Sequence, residues 1–118
     1  MRMVGLRDRT KKFALRIIRL SVSLPKTMES QVIWRQLLRS GTSVAANFRE
    51  ASRARSEAEF VAKLGIVEQE LDESLLWMEL LVESDIISIA RMQDLMTEAD
   101  ELIRITVKAI QSTKKSQS

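Results

Sequence analysis

The sequence contains no cysteine and no histidine. Together these absences remove a zinc site of the usual ligands, a Cys or His nucleophile or base, and any disulfide. Proline occurs once and glycine three times in 118 residues, too rarely for the turn-rich punctuation of an all-β chain. No stretch approaches the roughly 20 apolar residues of a membrane span. The opening MRMVGLRDRTKKF lacks the apolar run of a signal peptide, so a cytoplasmic location is expected.

What is present is 45% apolar residues at helical spacing, in a length suited to one domain, residues 1–118. Phe13, Ile17, Leu20 and Leu24 place a first helix over about Arg7 to Ser23, ended by Pro25. Thr27 or Ser30 caps a second, whose stripe is Ile33, Leu37, Gly41, Val44 and Phe48. Ser56 followed by Glu59 is a capping-box pattern. It opens a third helix from about Glu57 to Glu83, with Phe60, Leu64, Val67, Leu71, Leu75 and Met78 as its main stripe. Leu76, Trp77, Leu80, Leu81 and Val82 widen that stripe, and a helix apolar on more than one face needs more than one neighbour. A fourth helix runs from near Ser88 to about Ser112, with Ile89, Met92, Met96, Ala99, Ile103 and Ile110 in near-heptad register and Leu95, Leu102 and Val107 alongside. The tail STKKSQS, from about residue 113, reads as frayed. The expected architecture is all-α, an antiparallel up-down-up-down four-helix bundle.

Within the second helix, RSGTSVAANFRE is rich in small residues. A mid-helix glycine costs about 1 kcal/mol relative to alanine. Gly41 on the buried stripe therefore predicts a close helix crossing, extended by Ser40, Thr42, Ser43, Ala45 and Ala46.

The net charge of +3 hides a strong separation. Residues 1–55 carry thirteen cations and three acids, residues 56–103 two cations and thirteen acids, and residues 104–118 four cations and no acid. The basic half either meets a polyanion or neutralises the acidic half, within the bundle or between subunits.

Three segments, RS.TSVAANFREA from Arg39 to Ala51, RSEAEF.AKL from Arg55 to Leu64 and E..ES..W.ELL from Glu70 to Leu81, follow one another in order and in phase. Together they resemble the 23S ribosomal RNA intervening-sequence-encoded protein family. The resemblance implies an antiparallel four-helix bundle that assembles as a ring, commonly a homopentamer. A distant relation to the basic, ring-forming accessory protein of diversity-generating retroelements implies RNA or DNA as a partner, and a protein partner such as a reverse transcriptase.

Arg9, Lys12, Arg16 and Arg19 recur at helical spacing on the first helix, as do Arg35, Arg39, Arg49 and Arg53 on the second. Such ridges hold successive phosphates without choosing a sequence. Their structural alternative is a solvated face paired with the acidic third helix. No aromatic residue interleaves the ridges, so shape or backbone recognition of structured RNA fits better than base stacking. On the third helix Glu70, Glu73 and Trp77 share a face. A di-metal carboxylate site asks for Glu-x-x-His pairs that a histidine-free chain cannot supply. The two carboxylates are instead expected to accept hydrogen bonds from Asn47, Arg49 or Arg53 on the second helix or on a neighbouring subunit, with Asn47 and Glu50 in a buried or interfacial polar network. No catalytic residue, cofactor, metal or membrane partner is expected.

Overall fold

The computed structural model describes residues 5–117. Its helices are α1 (Leu6–Leu20), followed by a 3-10 turn over Ser21–Ser23, α2 (Met28–Ser52), α3 (Glu57–Glu83) and α4 (Ile89–Gln117). They run antiparallel in sequence order around one core, as a rod of 49 × 20 × 20 Å. α1, at about 22 Å, is far shorter than α3, at about 40 Å. It therefore lies along the C-terminal part of α2.

The helix starts follow local chemistry. The Thr27 hydroxyl accepts a hydrogen bond from the Ser30 N–H at 3.3 Å, and the Ser56 hydroxyl accepts one from the Glu59 N–H at 3.1 Å. The Glu59 carboxylate reaches back to the Arg55 N–H at 3.1 Å, one residue before the partner that a standard capping box would use. At the end of α3 the Asp85 N–H donates to Val82 O and the Ile86 N–H to Leu81 O, each at 3.0 Å. These two bonds form a Schellman motif with Asp85, at φ 60°, in the left-handed position usually taken by glycine.

Phe13, Ile17, Leu37, Val44, Phe48, Leu64, Leu71, Met78 and Met92 fill the core with almost no exposed surface. On α4 the buried stripe is Met92, Leu95, Ala99, Leu102, Thr106 and Ala109; of the stripe expected from the sequence Met92 and Ala99 are buried, as are Leu95 and Leu102 beside it, whereas Met96, Ile103 and Ile110 are half-buried and Ile89 is exposed. The difference is one of rotation about the helix axis. The Thr106 hydroxyl donates to Leu102 O at 2.7 Å, so it enters the core without an unpaired group. α4 also continues past Ser112 to Gln117. Thr113 Oγ1 donates to Ala109 O at 2.9 Å, and the cations Lys114 and Lys115 complement the negative end of the helix dipole.

α2 is thin-walled on both flanks. Toward α1, Gly41 is buried, and a Cβ placed there would run into Ile17 Cδ1 and stand 3.4 Å from Cγ1. Trp34 closes the same seam, its Nε1 donating to Ile17 O at 3.5 Å. Toward α3, the Ser40 and Ser74 hydroxyls lie 2.8 Å apart, both buried, and Ser74 Oγ also donates to Glu70 O at 2.8 Å. Small side chains thus set both seams.

Gly41→Leu is expected to lower stability by about 1–3 kcal/mol through overpacking against Ile17, read as a fall in thermal midpoint. An unchanged midpoint contradicts the close approach. Asp85→Gly is expected to raise stability by about 1 kcal/mol, because it relieves the left-handed backbone and removes an acid from the negative end of α3. Urea denaturation checks it, and a loss of stability would contradict this account of the turn.

Candidate nucleic-acid interface

The cations of α1 and α2 divide into two sets. The first set is tied to the acidic helices. Arg9 Nη2 lies 2.7 Å from Glu98 Oε1 and 3.2 Å from Glu101 Oε1, and its Nε donates to Glu98 Oε2 at 3.1 Å, which joins α1 to α4. Arg39 Nη2 donates to Glu73 at 2.6 Å and Nη1 to Glu70 at 3.3 Å, which joins α2 to α3. Two members of the expected ridges therefore act as bundle clasps. Within the chain it is Arg39, not the expected Asn47, Arg49 or Arg53, that reaches Glu70 and Glu73, one residue before Ser40 meets Ser74.

The Arg39 guanidinium also holds the Glu73 carboxyl below its usual pKa range, chiefly by its hydrogen bond, with partial burial opposing. The Trp77 indole adds a smaller effect, although its buried Nε1 reaches no acceptor at hydrogen-bonding geometry. The expected single polar network is divided in three. Glu70, Glu73 and Trp77 gather around Arg39. Asn47 Nδ2 donates back along α2 to Ser43 O and Oγ, both at 2.9 Å. Glu50 pairs with Lys63 of α3 at 2.7 Å.

The second set faces solvent. Among the described residues Lys12 pairs with Asp8, one turn away at 2.9 Å. Arg16 and Arg19 flank a shallow groove between α1 and α4, where Arg91 Nη2 donates to Ser23 Oγ at 2.6 Å. Arg35 is exposed. Arg49 and Arg53 line a groove of about 430 Å3 between α1 and α2, together with Arg7 and Lys11, over a floor of Ala45 and Ala46. Arg7, Lys11, Arg49 and Arg53 form no ion pair with any described residue.

Arg7 and Lys11 were absent from the ridges read in the sequence. The available signal was the matching i, i+4 spacing of Arg7–Lys11 and Arg49–Arg53 on antiparallel neighbours, which places the two pairs opposite each other. Among the described residues no group of acidic side chains is arranged to hold a metal ion, and no helix is long and apolar enough to cross a membrane.

An antiparallel four-helix bundle with a cationic α1–α2 surface is thus the class that fold and site define. The model of the 23S rRNA-intervening sequence protein family matches residues 5–108, and the chain belongs to that family. A solved structure of a protein of unknown function from the S23 ribosomal protein family of Bacteroides thetaiotaomicron VPI-5482 is similar to this chain at 35% identity. The match covers 88% of this chain and 96% of that one, with a TM-score of 0.82. No curated protein matches the chain.

The depressed Glu73 pKa has a definite sign. A carboxyl whose folded pKa lies below the ordinary 4.5 stabilises the fold above that pH, and the contribution fades as pH falls through the folded value. Arg39→Gln is therefore expected to cost at most about 1 kcal/mol at neutral pH, since the pair is half exposed, and less in acid. Urea denaturation at the two pH values tests this, and an equal loss at both contradicts it.

Proposed function

We propose that this protein is a non-enzymatic oligomeric bundle that binds structured nucleic acid, RNA in the first place, through sequence-independent contacts to the phosphate backbone. The observation that carries the reading is the segregation of its cations. Arg9 and Arg39 are engaged by acidic helices, whereas Arg7, Lys11, Arg49 and Arg53 surround an open groove without acidic partners. Solvated cations lining a concave surface draw in a polyanion and gain affinity by releasing its counterions. Phe13 and Phe48 are buried, so they offer no stacking platform, and recognition rests on backbone and shape. The absence of histidine and cysteine, with Glu70 and Glu73 held by Arg39, supports a binding role over a catalytic one.

The same reading includes self-association, as a homopentameric ring by family resemblance. It is supported by Ile66, Leu76 and Leu80 on the outside of α3, which remain 37%, 46% and 39% exposed in the single chain. An apolar patch of this kind marks an interaction surface. A purely structural ring, with basic and acidic faces paired between subunits, is the second reading that this patch favours.

Arg49→Glu combined with Arg53→Glu is expected to weaken binding of a labelled RNA hairpin by about tenfold or more, while Arg39→Gln leaves affinity nearly unchanged. Light scattering should show the same oligomer for all three proteins. Unchanged RNA affinity in the double variant would favour the structural ring.

A further inference from the structure

The α1–α2 groove differs from a ridge in that its cations converge on one place. Arg7 and Lys11 form one wall and Arg49 and Arg53 the other. Two acids stand beside these cations, Glu50 in the lining of the groove and Asp8 at its adjoining rim, and their carboxylates pair with Lys63 and Lys12 rather than with the four cations. The floor is made of Ala45 and Ala46, so a group entering between the walls meets little side-chain bulk. The rim is continuous with the start of α1, where Gly5 is the N-cap, has φ 86° and supplies no side-chain cap. The unpaired N–H groups and the positive end of the helix dipole in this first turn add to the field of the cations. The volume, about 430 Å3, lies within the usual range of roughly 300–1,000 Å3 for small-ligand clefts.

A phosphodiester brings one negative charge and two free oxygens, and a file of well-spaced cations suits a chain of them. Four cations around one concavity suit a group of higher local charge with more acceptors. A phosphomonoester has a charge of about −1.5 to −2 at neutral pH and three terminal oxygens, and guanidinium forks hold such oxygens in pairs. We propose that the groove formed by Arg7, Lys11, Arg49 and Arg53 is a terminal-phosphate site, which takes the phosphomonoester at the end of a nucleic-acid strand. The proposal rests on the nucleic-acid reading for the body of the ligand. Besides attracting the backbone, the groove adds a preference for the monoester, a chemistry shared with free mononucleotides.

The test compares one RNA hairpin bearing a 5′-phosphate with the same hairpin bearing a 5′-hydroxyl, by fluorescence anisotropy at fixed salt, with adenosine monophosphate and adenosine titrated separately by calorimetry. The phosphorylated hairpin should bind about tenfold more tightly. Lys11→Gln with Arg49→Gln should remove that ratio. Arg16→Gln with Arg35→Gln should weaken both hairpins and leave the ratio intact. The ratio should also shrink near pH 5, where the dianionic monoester takes up a proton with a pKa of about 6 and falls to a single negative charge. The chain has no histidine to titrate in that range.

Equal binding of the two hairpins overturns the terminal-phosphate site and leaves nucleic-acid binding standing. Failure of both hairpins to bind, with adenosine monophosphate still bound in a way lost in Lys11→Gln with Arg49→Gln, supports the groove and overturns the nucleic-acid reading. If neither hairpin nor mononucleotide binds, both are overturned.

Discussion

The bundle depends on how closely its neighbours approach α2. Gly41 admits Ile17 on one flank, and Ser40 meets Ser74 on the other. Adjacent residues of one helix thus fix two seams, and the rotation of α1 and α3 about α2 follows from them. A glycine inside a helix is unfavourable in isolation by about 1 kcal/mol. Here it stands where an added Cβ would run into the Ile17 side chain. The small-residue run continues as Ala45 and Ala46, and as α1 approaches its own N-terminus these alanines become the floor of an open groove. The same feature that lets the helices pack therefore also shapes the candidate site.

Charge is distributed over this frame with an economy that packing alone does not require. Arg9 pairs with α4 across one seam, and Arg39–Glu73 and Glu50–Lys63 both bridge the seam between α2 and α3. All three pairs are partly exposed, so each contributes modestly to stability. Their greater effect is on the surface that remains. Carboxylates that clasp the bundle are largely neutralised, and the cations left over cluster on α1 and α2. Concentrated charge of one sign raises the energy of the folded chain through self-repulsion. A surface of this kind is relieved when an anion occupies it.

Much of the fold could be read from residue spacing. The caps at Thr27 and Ser56, the span of α3 and the burial of Gly41 follow from local rules that tertiary structure did not override. Where the reading departs from the structure, the cause is information that spacing does not contain. The C-terminal half of the α4 stripe is displaced because Thr106 looks polar, yet it satisfies its hydroxyl within the helix and is buried. The turn at Asp85 is hidden because an acid stands where glycine is the usual signal. For the site, the sequence identifies which faces are basic but not which cations meet an acid. Arg39 and Arg49 look alike as members of one ridge. Only the rotation of α3 against α2 decides that Arg39 reaches Glu70 and Glu73, while Arg49 faces α1 across a gap. Arg7 and Lys11 enter the site for the same reason, through the register of two antiparallel helices.

The central claim is that the cations left unpaired on α1 and α2 serve a polyanion. The most direct measurement is the salt dependence of binding to a labelled structured RNA and a matched DNA duplex, followed by anisotropy. The account predicts micromolar or tighter binding at low salt and a linear fall of log affinity with log salt, with a slope steeper than about −3, as several phosphate contacts require. Absence of binding at low salt, or binding indifferent to salt, would contradict it and make the charge separation a device of assembly.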